Sequence, residues 1–134
     1  MALKISELYG VNADIAAKLT AAGLNDSDKL LAAVGQPEAR TKLASELGID
    51  AKVLLELGNR ADLARIKGIG KVYSDLLEFA GVDTVVELAT RNADNLYAKI
   101  QEVAAQHSVV RLPRADDVTD WVAQAKQLDR ALFY

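Results

Sequence analysis

The chain has 134 residues, half of them apolar, and no cysteine, so it can bury a core and has neither disulfides nor thiolate metal sites. Its net charge of −3 and its pI of about 5.1 argue against a general nucleic-acid binder, so any polyanion site must be a local patch. No apolar run approaches the ~18 residues of a membrane span, and the first ten residues are too polar for a secretion signal. We therefore predict a cytoplasmic protein with no membrane partner.

Helical spacing of apolar residues runs through the whole chain and predicts an all-α fold of about nine short helices with no strand. Three joints share one pattern, in which a helix is followed by Gly, an apolar residue, and Asn or Asp. Glycine closes a helix in the left-handed conformation, the apolar residue packs back on the last turn, and the Asn or Asp can cap the next helix. The joints are "AAGLN" at 21–25, "ELGID" at 46–50 and "FAGVD" at 79–83.

The last third of the chain contains two segments outside the helical pattern. The stretch "SVVRLP" at 108–113 reads as a linker, because Pro113 disfavours helix at the residue before it. A helix carrying Trp121 follows. The final "ALFY" at 131–134 is either tucked on the body of the protein or an exposed apolar tail.

The sequence contains an internal repeat with an offset of 58 residues. Without a gap, "ISELYGVNADIAAKLTAAGL" aligns with "LARIKGIGKVYSDLLEFAGV". We therefore predict two related helical units, residues 1–60 and 61–134, packed as one compact domain. The glycine pairs of the repeat are Gly10 with Gly68 and Gly23 with Gly81.

The second unit has an apolar stripe that the first unit lacks. Val72, Leu76 and Phe79 stand where the first unit has an aspartate, a lysine and an alanine. The second unit should therefore be buried on two sides. The C-terminal helix with Trp121 is the expected cover, and a partner protein is the alternative.

Positive charge belongs to the second turn only. Arg65, Lys67 and Lys71 surround its Gly-Ile-Gly, whereas the first unit has Glu, Tyr and Ala at those positions. Arg111 and Arg114 extend this basic surface if the fold brings them near Lys67.

The stretch "LARIKGIGKVYSDLLEFAGV" resembles a helix-hairpin-helix motif, in which apolar positions precede a Gly-apolar-Gly turn. Lys67 stands where proline is common in that motif. With "NRADLARIKGIG", "AGVDTVVELATRN" and the closing helix, the chain resembles an uncharacterised bacterial family of tandem helix-hairpin-helix-like proteins, a domain of unknown function. The family resemblance implies a fold and no activity. Because the first turn has Asn12 and Ala13 where the second has Gly70 and Lys71, we interpret the first unit as degenerate and the second as intact.

The helix-hairpin-helix resemblance implies a non-catalytic module that contacts nucleic-acid backbone through its turn. Turn amides and the start of the second helix would point at a phosphate, and nearby cations would add charge. Such binding is sequence-independent and salt-sensitive, and one intact turn makes it weak. DNA is the expected partner. The candidate site consists of Arg65, Lys67, Gly68, Ile69, Gly70 and Lys71.

Two other interpretations stay open for the same turn. It can be a tight interhelical turn with no ligand. The chain can also be a protein-interaction or scaffold module that keeps the fold without binding nucleic acid, which the acidic pI, the degenerate first turn and the extra apolar stripe favour.

The sequence carries no pattern typical of an enzyme. No nucleophile has a base beside it, and Gly-Ile-Gly without a preceding strand is too weak to indicate a dinucleotide site. His107, the only histidine, stands at an expected helix end and is a poor metal-ligand candidate. The acidic residues Asp116, Asp117 and Asp120 suit the start of a helix. We therefore expect no catalysis, cofactor or metal.

Overall fold

Eight α-helices and one 3-10 helix (Ile5–Glu7) make up the computed structural model, which describes residues 2–134 and has no strand in that range. The all-α fold and the expected number of helices are confirmed. Within 2–134, no helix is long and apolar enough to cross a membrane. The helices are α1 (Ala13–Ala21), α2 (Ser27–Val34), α3 (Pro37–Leu47), α4 (Ala51–Leu63), α5 (Lys71–Phe79), α6 (Val85–Ala89), α7 (Ala93–Gln106) and α8 (Ala115–Gln127).

The three glycine joints end helices as the sequence predicts. Gly23, Gly48 and Gly81 have φ values of 82°, 68° and 89°. The apolar residue after each glycine donates its N–H to a carbonyl of the last helical turn, as in Leu24 to Leu19 at 2.9 Å. These bonds satisfy carbonyls that the helix end leaves free.

Each joint is followed by a capped helix. Asp26 caps α2, Asp50 caps α4 and Thr84 caps α6. The sequence predicts these three starts, because each is a residue of the capping type and Thr84 has Glu87 at capping-box spacing. Asn25 pairs with the N-terminal segment, because its carbonyl accepts the N–H of Ile5.

The sequence repeat also relates the helices. Helix α5 begins 58 residues after α1 (71 minus 13), and α6 begins 58 residues after α2 (85 minus 27). The turns before α1 and α5 contain Gly10 and Gly68, whose φ values are 93° and 98°. Two further helices complete each unit, α3 and α4 in the first and α7 and α8 in the second.

Buried apolar side chains form two clusters. The first cluster is drawn from residues 3–64 and Leu132, and the second from residues 63–125. Helix α4 contributes residues to both clusters, because Ala61 belongs to the first cluster and Leu63 to the second. The unit boundary drawn from the sequence, between residues 60 and 61, therefore lies inside α4.

Helix α5 is buried more deeply than its counterpart α1. Leu76 and Leu77 are both fully buried, whereas Leu19 is the one buried residue of α1. Helix α8 packs on α6 and α7 and covers the second unit. Its Trp121 ring lies 5.2 Å from the ring of Tyr73 on α5.

The far end of the extra stripe is covered from other directions. The ring of Phe79 stacks on His107, just after the end of α7, with centroids 3.9 Å apart. The Tyr9 ring meets Phe79 edge-on at 6.2 Å. The chain thus supplies its own cover for Phe79, from α7 and from the turn before α1.

The seven residues after α8 return to the first unit, so the "ALFY" end is tucked on the body. Leu132 is 2% exposed and belongs to the first cluster. The N–H of Phe133 donates to the carbonyl of Gly35 at 2.7 Å, and the buried Arg40 donates to the carbonyl of Phe133. The C-terminus therefore connects the second unit back to the first.

Candidate functional site

The turn between α4 and α5 is built on Gly68 and fixed by Ile69. A φ of 98° at Gly68 is a conformation that side-chain-bearing residues rarely adopt. A Cβ at this position would also lie 3.1 Å from Trp121 Nε1. The Ile69 side chain is buried in the second cluster, and its N–H donates to the carbonyl of Ile66 at 3.1 Å. Ile69 was expected to offer its amide to a ligand, and this internal bond overturns that expectation.

A glutamine of α8 holds the turn at Lys67. The Gln124 side chain accepts the N–H of Lys67 at 2.9 Å and donates to its carbonyl at 3.0 Å. Asp120 accepts a second bond from the same amide group. No pattern in the sequence indicates this pair of bonds, which joins residues 57 positions apart. It leaves the Lys67 ammonium exposed while its backbone is fixed.

Five backbone N–H groups at this turn meet no acceptor within the described chain. Helix α5 begins after Gly70, which has no side chain to cap the first turn. Helix α1 begins after Asn12, whose Oδ1 accepts the N–H of Ile15 at 2.9 Å. The equivalent group in α5, the N–H of Tyr73, is free. The free groups are those of Gly68, Gly70, Lys71, Val72 and Tyr73.

The residues that carry these groups line a surface depression of about 240 Å³. Arg111, from the linker between α7 and α8, also lines it, and its guanidinium carbon lies 5.4 Å from the centre of the Tyr73 ring. Glu7 is the acidic residue in the lining. Its carboxylate accepts the N–H of Lys4 at 2.9 Å, which ties it to its own backbone.

The fold places some of the predicted basic residues at the turn and directs one of them elsewhere. Within residues 2–134, Lys67 and Arg111 take part in no ion pair, and Lys71 lies 3.4 Å from Asp75. Arg65 faces elsewhere. It donates to Asp62 at 2.8 Å and to the carbonyl of Asp129 at 2.7 Å, so it holds the C-terminal segment and is not part of the depression.

The first turn does not offer a matching site. Asn12 accepts the N–H of Ile15, one of the amides at the start of α1. The positions of the second turn's cations are taken here by Glu7, Tyr9 and Ala13. Tyr9, which stands where the second turn has Lys67, packs against Phe79 and under the guanidinium of Arg60, whose carbon lies 4.8 Å from the ring centre. This turn is an internal contact between the two units.

Replacing Gly70 tests whether the amides of α5 are free. A Cβ at residue 70 meets no atom within 4 Å, and φ is −103°, so side chains fit without strain. Because aspartate can accept the N–H of Tyr73 as Asn12 accepts that of Ile15, we expect Gly70→Asp to be more stable than Gly70→Ala by about 1 kcal/mol in urea unfolding. Equal stability of the two variants would mean that the amides already have acceptors.

Comparison with known proteins gives a family and no further relative. Residues 9–128 match the family described as Domain of unknown function (DUF4332). Corresponding searches of curated proteins and of solved structures find no match. Because the match takes in both turns and all eight helices up to Gln127, it spans both units. The chain therefore belongs to the DUF4332 family of domains of unknown function.

Proposed function

We propose that the chain is a non-catalytic, cytoplasmic helix-hairpin-helix module that binds nucleic-acid backbone through the turn before α5. The observation that carries this proposal is the set of free amides at the start of α5, lining a depression that Gly68 and Gly70 leave without side chains. Amides at a helix start attract anions, because they carry the positive end of the helix dipole. A phosphate oxygen is the matching acceptor.

Side-chain charge supports the same ligand. Lys67, Lys71 and Arg111 lie in or beside the turn, and they come from two distant parts of the chain. Arg111 already lies over the Tyr73 ring. Its side chain therefore loses less conformational entropy on binding than a freely moving arginine would. Contacts of this kind read phosphates and not bases, so we propose sequence-independent binding.

The proposed binding is weak, for reasons visible at the site. About three cations release few counterions from a polyanion. Asp75 competes for Lys71, and the chain as a whole carries a net charge of −3. The first turn adds no second anchor, because it carries Glu7, Tyr9 and Ala13 where the second turn has cations, and because Asn12 accepts the N–H of Ile15.

Charge reversal at the turn tests the proposal. We expect Lys67→Glu with Lys71→Glu to lower the affinity for a fluorescein-labelled DNA oligonucleotide by about tenfold or more at low salt. The slope of log K against log[salt] should fall in magnitude by about 2, one for each lost phosphate contact. Fluorescence anisotropy at several salt concentrations measures both quantities.

A matched control is available in the first unit. Lys42→Glu with Lys52→Glu makes the same change in net charge on exposed positions of α3 and α4. Affinity should then stay within about threefold of the wild type, because screening weakens charges more than ~10 Å from the ligand. Equal losses in the two double variants, or none in either, would refute a site at the turn.

The rival proposal, a protein-interaction or scaffold module, keeps the acidic pI in its favour but loses one argument. The extra apolar stripe is covered by His107 and Tyr9 at Phe79, so it needs no partner protein there. Light scattering and a pull-down separate the two proposals. A specific protein partner without salt-dependent DNA affinity would favour the rival.

A further inference from the structure

The linker between α7 and α8 is fixed from inside at alternate residues. Val109 packs on the second cluster, and its N–H donates to the carbonyl of Ala104 at 2.8 Å. Arg111 lies over Tyr73, and Pro113 is buried. Val109 is half-buried and Pro113 is buried, whereas Arg111 is exposed and touches the protein through the Tyr73 ring, so contacts with the protein alternate along this extended segment.

The residues between these anchors face solvent and are apolar. Val110 is 95% exposed and Leu112 is 44% exposed. The peptide groups of residues 110–112 form no hydrogen bond with any part of the chain that the structure describes. Two exposed apolar side chains beside peptide groups without a partner in the chain can bind a ligand that offers both an apolar face and hydrogen-bonding edges.

The place of Val110 and Leu112 beside the turn indicates which kind of molecule can bind them. Arg111, between the two apolar residues, lines the same depression as the free amides of the turn. A chain with one phosphate at the turn would therefore continue across Val110 and Leu112. In a duplex, the base faces are stacked and the pairing edges are used. In a single strand, both are available to apolar side chains and to peptide groups.

We propose that the linker residues 110–112 form a base-contacting strip, so that the preferred ligand is single-stranded nucleic acid and not duplex. This inference rests on the proposed function, since the phosphate at the turn sets where the bases lie. Charge favours an anionic ligand, because neither Arg111 nor Arg114 forms an ion pair within residues 2–134, and the phosphate chain proposed at the turn is such a ligand.

The test compares one labelled 12-nucleotide DNA strand alone and annealed to its complement, by anisotropy at low salt. We expect the wild type to bind the single strand at least about fivefold more tightly. Val110→Ser with Leu112→Ser should remove that preference, lowering single-strand affinity about fivefold and leaving duplex affinity within twofold. Both positions face solvent, so the variant is expected to fold, which circular dichroism checks.

Val86→Ser is the matched control, because Val86 is also an exposed valine, 42% accessible, on α6. It should leave both affinities unchanged. Two results would contradict the base-contacting strip without contradicting the site at the turn. One is equal affinity of the wild type for single strand and duplex, and the other is an equal loss of affinity for both in the double variant. Loss of a dimer in light scattering on the same substitutions would identify a protein contact and also overturn it. If neither oligonucleotide binds, the proposed function fails together with this inference.

Discussion

Arg60→Ala is expected to destabilise the protein by about 3 kcal/mol, although the residue lies outside both apolar clusters. Its guanidinium, 3% exposed, bridges from α4 to the carboxylates of Asp75 and Glu78 on α5. Its face also covers the ring of Tyr9. Removing one partner of a buried ion pair leaves the other charge poorly solvated, and that loss exceeds what the pair contributes as a whole.

Urea unfolding of wild type and variant measures this cost. Lys42→Ala is the control, because Lys42 forms an exposed pair with Glu46 at 3.9 Å and should cost less than about 0.5 kcal/mol. If the two substitutions cost the same, Arg60 does not hold α4 to α5 in solution. The result also bears on the candidate site, since Arg60 shares Asp75 with Lys71. Without Arg60, the Asp75 carboxylate keeps Lys71 as its one cation partner in the described chain.

Leu132→Ala is expected to lower the free energy of unfolding by about 3 kcal/mol, although Leu132 lies only two positions before the last residue. Leu132 fills space in the first cluster that glycine leaves open. A Cβ at Gly58 would lie 3.1 Å from the Leu132 side chain, and a Cβ at Gly35 would lie 2.5 Å from the carbonyl oxygen of Ala131. Truncating Leu132 loses its transfer free energy and leaves a cavity between helices that cannot close fully.

Tyr134→Ala is the control for that substitution, because Tyr134 is 65% exposed and should change stability by about 0.5 kcal/mol or less. Hydrogen exchange gives a second measurement. The N–H of Phe133, bonded to Gly35, should be protected in the wild type and lose protection in Leu132→Ala. A free tail in solution would show neither the loss of stability nor the protection.

Local features of the fold were predictable from the sequence. The glycine joints were identified because a helix end needs a left-handed residue, and that requirement acts within a few residues. The 58-residue offset correctly paired Gly10 with Gly68 and the start of α1 with that of α5. The caps Asp26, Asp50 and Thr84 were predictable for the same reason, because a side-chain oxygen at a helix start acts within three residues.

That the turn is a binding site stays a prediction. Of the amides named from the sequence, those of Gly68, Gly70 and Lys71 have no acceptor in residues 2–134, whereas that of Ile69 has one. The Arg65 side chain is likewise bonded inside the protein. Whether an amide is free depends on its acceptors, and those of Ile69 and Lys67 could not be assigned from composition or periodicity.

What the sequence determined by itself is the set of helices, their ends and the repeat, because backbone conformation and apolar spacing act over one or two turns. Only the tertiary structure decided that Arg111 reaches the turn, that Gln124 clamps Lys67 and that the C-terminal tail lies in the first unit. These contacts join residues about 40 to 100 positions apart. They form only when packed helices bring those residues together, and no local preference encodes that meeting.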